Sequence, residues 1–282
     1  MNHSPDDGKA VRKTTIYQWS QNELQESEDL LAREVPMEIR VATKGDDPRS
    51  IAVTMRTPGH DLELALGFLV TEGVIQSIDQ IAGMRRIHDN LGVQNVVEIY
   101  LEENVTFDFE QLSRHVFTSS SCGVCGKQTL ERLMGFGMEE PVFTKTLSPK
   151  ILAELPEKLR QNQEVFRQTG GLHAAALFDL DGNLLRYRED IGRHNALDKL
   201  IGSLLSDKLL PASNRVLLLS GRTGFELVQK AIFAGIPVIA GIGAPSSFSV
   251  TLAQQFNVTL VGFLRADRFN LYSQTKERFT TD

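Results

Sequence analysis

The two cysteines of this 282-residue chain, Cys122 and Cys125, stand three positions apart in the run Phe-Thr-Ser-Ser-Ser-Cys-Gly-Val-Cys-Gly. Sulfur reacts as thiolate, and the ordinary thiol pKa of about 8.5 falls beside cations or the N–H groups that open a helix. The pattern after Cys125 predicts a helix over residues 127–134, and Lys127 adds positive charge at its start. The pair therefore has the surroundings of a reactive site. Three chemistries fit it: dithiol–disulfide exchange, metal ligation, and carriage of a sulfane sulfur as a persulfide. Cysteines that only pack behave as small apolar residues, whereas Ser119, Ser120, Ser121, Gly123 and Gly126 are poor core material.

Each chemistry makes a different demand on the rest of the chain. Redox exchange commonly sets the pair between a strand and a helix, but here a long small-residue loop over residues 117–126 precedes it. Zinc takes about four ligands, and His173 and His194 are the candidates to complete a set with the cysteines. The run Gly-Leu-His173-Ala-Ala175 echoes the zinc deaminases, in which a catalytic Glu follows the His by two positions. Ala175 occupies that position, and the Cys pair precedes the histidine instead of following it. Persulfide transfer asks for less: one thiolate, on a loop able to visit a donor and an acceptor.

A second polar cluster runs from Glu189 to Lys199 and holds Asp190, Arg193, His194, Asn195 and Asp198. A helix starting near residue 192 sets His194 and Asp198 four apart on one face, close enough to pair. Asp190 is the expected N-cap of that helix. Three further loops carry anion-binding features: Ser-Gly-Arg222-Thr-Gly, the run 241–247 ending in Ser246-Ser247, and Phe263-Leu264-Arg265-Ala266-Asp267-Arg268. Backbone N–H groups at a helix start attract anions, and paired arginines suit phosphate. Capping is the commoner role for a serine pair such as Ser246-Ser247.

The elements that must position these residues can be read from periodicity. Strands are predicted at 14–19, 37–43, 50–56 and 95–101, with a largely buried helix at 61–70. This first part reads as an α+β unit over residues 1–115, behind a loose N-terminal tail. The remainder, 116–282, carries strands at 175–179 and 184–188 around the hairpin signal Asp181-Gly182. Apolar strands at 215–219, 238–240 and 258–262 then alternate with helices at 193–205, 225–234 and 248–255. Such alternation implies parallel strands, with ligands beyond their carboxyl ends. The three anion-binding loops would then share one edge.

Composition narrows the setting. With 41% hydrophobic and 23% charged residues, the chain has the make-up of a folded soluble protein. A net charge of −6 argues against non-specific nucleic-acid binding. No uncharged apolar run is long enough to span a bilayer, and the polar N-terminus lacks a signal-peptide core. A cytoplasmic protein without nucleic-acid or membrane partners is the expectation.

The motifs Ser-Cys122-Gly-Val-Cys125-Gly, Gly-Leu-His173-Ala-Ala-Ala, Glu-Asp190-Ile-Gly-Arg193-His194-Asn-Ala-Leu-Asp198-Lys199, Ser-Gly-Arg222 with Glu226-Leu-Val-Gln-Lys230, and Asn257-Val-Thr-Leu-Val-Gly-Phe263 occur in this order. Together they resemble the formate dehydrogenase accessory sulfurtransferase family (the FdhD/NarQ family), from about residue 34 to 272. The resemblance implies an α/β fold: a C-terminal cytidine-deaminase-like α/β/α domain with a smaller N-terminal α+β domain. It implies that sulfur passes from a cysteine desulfurase to the molybdenum bis(molybdopterin guanine dinucleotide) required by formate dehydrogenase. On this basis Cys122 carries the persulfide and Cys125 is the helper thiol. Phe263, Leu264, Arg265, Ala266, Asp267 and Arg268 match the family's cofactor-binding segment, in which relatives often carry a glycine where this chain has Ala266 and Asp267. A homodimer is implied, with no permanent cofactor and no metal of its own. The alternatives are a zinc-binding deaminase-like module and a nucleotide-binding chaperone of formate dehydrogenase that does no chemistry.

Overall fold

The computed structural model describes residues 9–87, 95–107, 109, 138–273 and 278–280. The predicted loop at 117–126, the predicted helix at 127–134, both cysteines and the expected division at 115/116 lie outside the described residues.

The described chain begins with a two-stranded antiparallel ribbon, β1 (Val11–Ser20) and β2 (Glu23–Ala32). Its turn is Gln21-Asn22, both with positive φ (50° and 65°), the backbone that lets a two-residue turn follow the twist of the strands. The sequence predicted only the core of β1. The partner strand, Glu-Leu-Gln-Glu-Ser-Glu-Asp-Leu-Leu-Ala, is too polar to show an apolar face.

A four-stranded sheet follows, in the order β4-β3-β6-β5. β3 (Val35–Thr43) and β4 (Arg49–Arg56) form the expected hairpin. β6 (Val96–Leu101) runs parallel to β3, and β5 (Ile81–Ile87) antiparallel to β6. Alternation sends Met37, Ile39, Val41, Val97, Ile99 and Leu101 inward. There they meet α1 (Asp61–Thr71), whose Leu64, Leu66 and Leu69 are fully buried.

The second half is a six-stranded sheet ordered β12-β11-β10-β9-β7-β8. β9 (Val216–Leu219), β10 (Val238–Gly241) and β11 (Thr259–Gly262) are parallel, as the strand–helix alternation requires. β7 (His173–Phe178) runs antiparallel to both β9 and β8 (Leu184–Asp190), and β12 (Asn270–Ser273) antiparallel to β11. In the β7–β8 connection the Asp179 carboxylate accepts from the N–H groups of Asp181 (3.0 Å) and Asn183 (2.8 Å).

Helices cover both faces of this sheet. α2 (Pro149–Asn162) lays Leu152, Leu155 and Leu159 on Ala174, Ala176, Phe178, Val216, Leu218 and Val238. The sequence reading missed α2, which carries Pro156 inside it, the short helix α3 (Glu164–Thr169) that follows it, and the strands β5 and β12. On the opposite face lie α4 (Arg193–Ser206), α5 (Phe225–Phe233) and α6 (Ser247–Gln255).

α1 packs directly on α4, so one apolar core runs from the four-stranded sheet through both helices to the six-stranded sheet. Gly67 and Gly202 make this crossing possible. A methyl on Gly67 would overlap the Asp198 carbonyl, and one on Gly202 the Glu63 carbonyl. No helix among the described residues is long and apolar enough to cross a membrane.

Candidate functional site

The carboxyl ends of β9, β10 and β11 open onto one edge, and the antiparallel β7 brings His173 to the same edge. The three loops there are stitched together by backbone hydrogen bonds. Ile242 and Gly243 donate to the carbonyls of Leu219 and Gly221, both at 3.0 Å. Thr223 donates to Ala244 (3.0 Å), and Ser246 returns a bond to Thr223 (3.1 Å). Phe263 and Leu264 donate to Gly243 and Gly241, both at 3.1 Å. A Cβ on Gly243 would lie 2.8 Å from the backbone of Gly221 and Arg222, so only glycine permits this approach. The edge is a pre-formed surface built from loops that lie far apart in sequence.

Its third loop differs from a simple display of two arginines. Arg265 folds back, its Nη1 donating to the carbonyls of Ile242 and Leu264, both at 2.8 Å. Its N–H donates to the Arg268 carbonyl at 2.8 Å and closes a turn. Arg268 is exposed and, among the described residues, makes no salt bridge; neither does Asp267 between the two arginines. Ala266 is exposed, whereas the Leu264 side chain is fully buried in the core beneath α2. Leu264 can meet a ligand only through the surface it supports. Phe263 adopts φ +53°, a rare conformation for a bulky residue, and is 42% exposed. Backbone strain of this kind concentrates at functional sites.

The β9 and β7 side of the edge adds more positive charge. Arg222 is exposed and Arg193 half-buried, each without a salt-bridge partner among the described residues. His173 is half-buried beside Gly221, where a Cβ would lie 3.1 Å from its Nδ1. Burial, followed by the charges of Arg193, His194 and Arg222, holds His173 below the usual histidine pKa. His194 Nε2 faces Glu226 Oε2 at 2.9 Å, a contact between the first turns of α4 and α5. That hydrogen bond is the main reason the Glu226 carboxyl titrates below its ordinary range. Ser246 caps α6 as expected, accepting from the Ser249 N–H at 3.2 Å.

The Glu189–Lys199 cluster does different work from what its spacing predicted. His194 and Asp198 do not pair. Asp198 turns inward to Lys230 and to the Thr71 hydroxyl, because a buried ammonium needs a counter-charge more than a rim histidine does. Asp190 is not the N-cap of α4, a position held by Gly192. Its Oδ2 lies 2.6 Å from the fully buried Lys199 and accepts from the Thr57 N–H at 3.1 Å, while Oδ1 accepts from Gly192 at 2.8 Å and Asn195 at 3.1 Å. Asn195 also donates to the Met55 carbonyl at 2.7 Å. The cluster thus ties α4 to the end of β4. Among the described residues no three His, Asp or Glu side chains form a metal-ligand set.

Two stacked α/β layers sharing a helical seam, with a basic, glycine-lined edge at the carboxyl ends of three parallel strands, define the class of α/β protein to which the chain belongs. The chain belongs to the FdhD/NarQ family, whose model matches residues 32–280. It is 47% identical over 253 residues to the sulfur carrier protein FdhD of Streptomyces coelicolor, covering 87% of each chain. It is 47% identical over 251 residues to the protein of the same name from Sulfurisphaera tokodaii, covering 89% of this chain and 92% of that one. Its fold is similar to that of a formate dehydrogenase accessory protein from Desulfotalea psychrophila, with a TM-score of 0.73 at 25% identity, over 96% of this chain and 100% of that chain.

Proposed function

We propose that this chain is a sulfurtransferase that carries sulfur as a persulfide for the maturation of formate dehydrogenase. The observation that carries the proposal is the family match across residues 32–280, which takes in both cysteines and the whole basic edge. The relatives' name, sulfur carrier protein, supports the chemistry. In the first step the Cys122 thiolate attacks the outer sulfur of a persulfide on a cysteine desulfurase. The new bond forms to Cys122, and the donor leaves as its own cysteine thiolate. Cys125 is the helper thiol. The acceptor is molybdenum bis(molybdopterin guanine dinucleotide), bound as substrate at the edge.

Phe263, Ala266, Asp267 and Arg268 are the exposed members of the binding segment, with Arg265 and Leu264 shaping the loop beneath them. Arg268 and Arg222, exposed and without a salt bridge among the described residues, are suited to the acceptor's phosphates. The same proposal makes the protein cytoplasmic and homodimeric, with formate dehydrogenase as the client. It divides the chain at 115/116 into a smaller α+β half and a cytidine-deaminase-like α/β/α half. Sheet membership supports the division, since the four-stranded sheet lies within residues 35–101 and the six-stranded sheet within 173–273.

Mass spectrometry after incubation with a desulfurase and cysteine is the direct test. Wild type gains one sulfur atom on Cys122, and Cys122→Ala gains none. Equal labelling of both proteins would remove Cys122 from the role. Stoichiometric zinc lost on Cys125→Ala would favour a zinc module instead.

A further inference from the structure

Among the described residues two ion pairs tie α4 to α5. Asp198 with Lys230 is buried and already fastens the helices. His194 with Glu226 lies at the rim, with side chains 33% and 39% exposed. A pair that open to water adds little stability. An imidazole, unlike a lysine, also gains and loses its charge near neutral pH. A second fastening would not call for a histidine.

The carboxylate fixes what each ring nitrogen can do. Glu226 Oε2 stands 2.9 Å from Nε2, so the neutral ring keeps its proton on Nε2 and a lone pair on Nδ1. The protonated ring offers a second N–H at Nδ1. Nδ1 makes no hydrogen bond with a described residue. Glu226 stays an acceptor because its carboxyl titrates below the ordinary range, held there first by the His194 hydrogen bond and then by the charges of His194, Lys230 and Arg193.

The charges around this pair come from four elements. Arg193 precedes His194 on α4, and Arg222 comes from the β9–α5 loop. His173 opens β7, its Nδ1 3.1 Å from the Cβ position of Gly221. Asp190, opposite His173 on β8, is committed to Lys199 at 2.6 Å, and Lys230 to Asp198 at 2.9 Å. Of the groups whose charges act on His173 and Glu226, two guanidiniums and two imidazoles are then left against the one carboxylate of Glu226. Guanidinium forks with unused donors suit an oxyanion. His173, kept below the usual histidine range by burial and then by these cations, enters as a neutral ring.

We propose that this corner binds an oxyanion of the phosphate class together with a proton, which His194 carries: Glu226 is the positioning residue that holds Nε2, and Nδ1–H serves the anion. This deepens the proposed function, since it rests on an anionic acceptor at the edge. The anion's charge favours the protonated ring, so the bound pKa of His194 lies above the free one. The proton's contribution is complete below the free value and is lost as pH rises through the bound value.

The test uses the full chain and sulfate, an oxyanion that does not itself titrate across the histidine range, at fixed ionic strength. NMR of the histidine Cε1–H groups follows His194, its signal assigned by its loss in His194→Gln. Calorimetry reads affinity, and circular dichroism checks the fold. Sulfate raises the His194 pKa by about one unit and binds about tenfold more tightly at pH ~5 than at pH ~8. Glu226→Gln keeps an acceptor for Nε2 without the charge, so the free His194 pKa falls by about one unit and the pH window of binding moves down with it. His194→Gln leaves less than about a twofold pH dependence, and Arg193→Ala weakens binding about tenfold. A His194 pKa indifferent to sulfate, or unchanged affinity in Arg193→Ala, overturns the proposal. Full pH dependence in His194→Gln does the same, by putting the proton on His173. An unshifted His194 pKa in Glu226→Gln overturns the positioning role. Sulfur labelling of Cys122 in the same samples keeps the two readings apart. Labelling lost with the sulfate coupling intact removes the sulfurtransferase, and labelling intact without the coupling removes only this inference.

Discussion

Lys230 Nζ stands 2.9 Å from both carboxylate oxygens of Asp198, and the Thr71 hydroxyl bridges the pair, accepting from Lys230 at 2.8 Å and donating to Asp198 at 3.0 Å. The three residues come from α5, α4 and α1, so one buried ion pair fastens three helices. Burial alone would lower the Lys230 pKa, but the charges of Asp198 and Glu72, with the Asp198 hydrogen bonds and the charge of Glu226, outweigh it and raise the value. Asp198→Ala removes the hydrogen-bonded counter-charge of a buried ammonium and is expected to destabilise the fold by about 3 kcal/mol in urea unfolding. The double variant Asp198→Leu, Lys230→Met recovers most of that loss. A single variant as stable as wild type would show that the pair is not a fastening.

The α1–α4 crossing is the most sterically exacting place in the described fold. Gly67→Ala and Gly202→Ala each drive a methyl into a backbone carbonyl of the facing helix, which no rotamer change relieves. Each is expected to destabilise by about 3 kcal/mol or more, read as lost soluble yield and a lowered Tm. Gly83→Ala is the control, because nothing lies within 4 Å of its Cβ position and its backbone is outside the left-handed region.

Glu63 sets an acid limit. Burial on its own would raise the Glu63 pKa, but the Arg188 hydrogen bonds at 2.5 and 2.8 Å, with help from His60, lower it from 4.5 to about 2. The folded value lies below the unfolded one. The contribution is therefore complete above pH ~4.5 and lost as pH falls towards 2. With the side chain 24% exposed, it is on the order of 2–3 kcal/mol. Glu63→Gln should flatten the stability–pH curve in that window and leave its shape above pH 5 unchanged. An unaltered slope would show that other carboxylates carry the acid transition.

The basic edge can be titrated with guanosine diphosphate by calorimetry. Arg222→Ala and Arg268→Ala are each expected to weaken binding about tenfold, the worth of one charge-assisted hydrogen bond. Both should also reduce its salt dependence. Arg265→Ala should act mainly by loosening the loop, because this guanidinium already serves the carbonyls of Ile242 and Leu264. Unchanged affinity in both Arg222 and Arg268 variants would move the ligand elsewhere.

Much of the architecture is written locally. Val216–Leu219, Val238–Gly241 and Thr259–Gly262 are short apolar runs between helix patterns, and their alternation was enough to predict a shared edge carrying the three loops. β2 was invisible because a ribbon wetted on both faces needs no apolar alternation. The roles of Asp190 and Asp198 were also hidden. Local spacing offered His194 and a helix cap, but the groups that hold them, Thr57 and Thr71, lie 133 and 127 residues away. His194 likewise finds Glu226 through packing of two helices that no local pattern links. The left-handed backbone of Phe263 left no trace in its residue type, since phenylalanine is the opposite of what that conformation favours.

The seam at Gly67 and Gly202 also sets how the molecule breathes. Amide hydrogens along α1 and α4 are expected to exchange only when the core opens, whereas those in the outer rungs of the exposed ribbon are expected to exchange early. One polypeptide thus keeps two clocks, a slow one at its centre and a fast one at its ribbon.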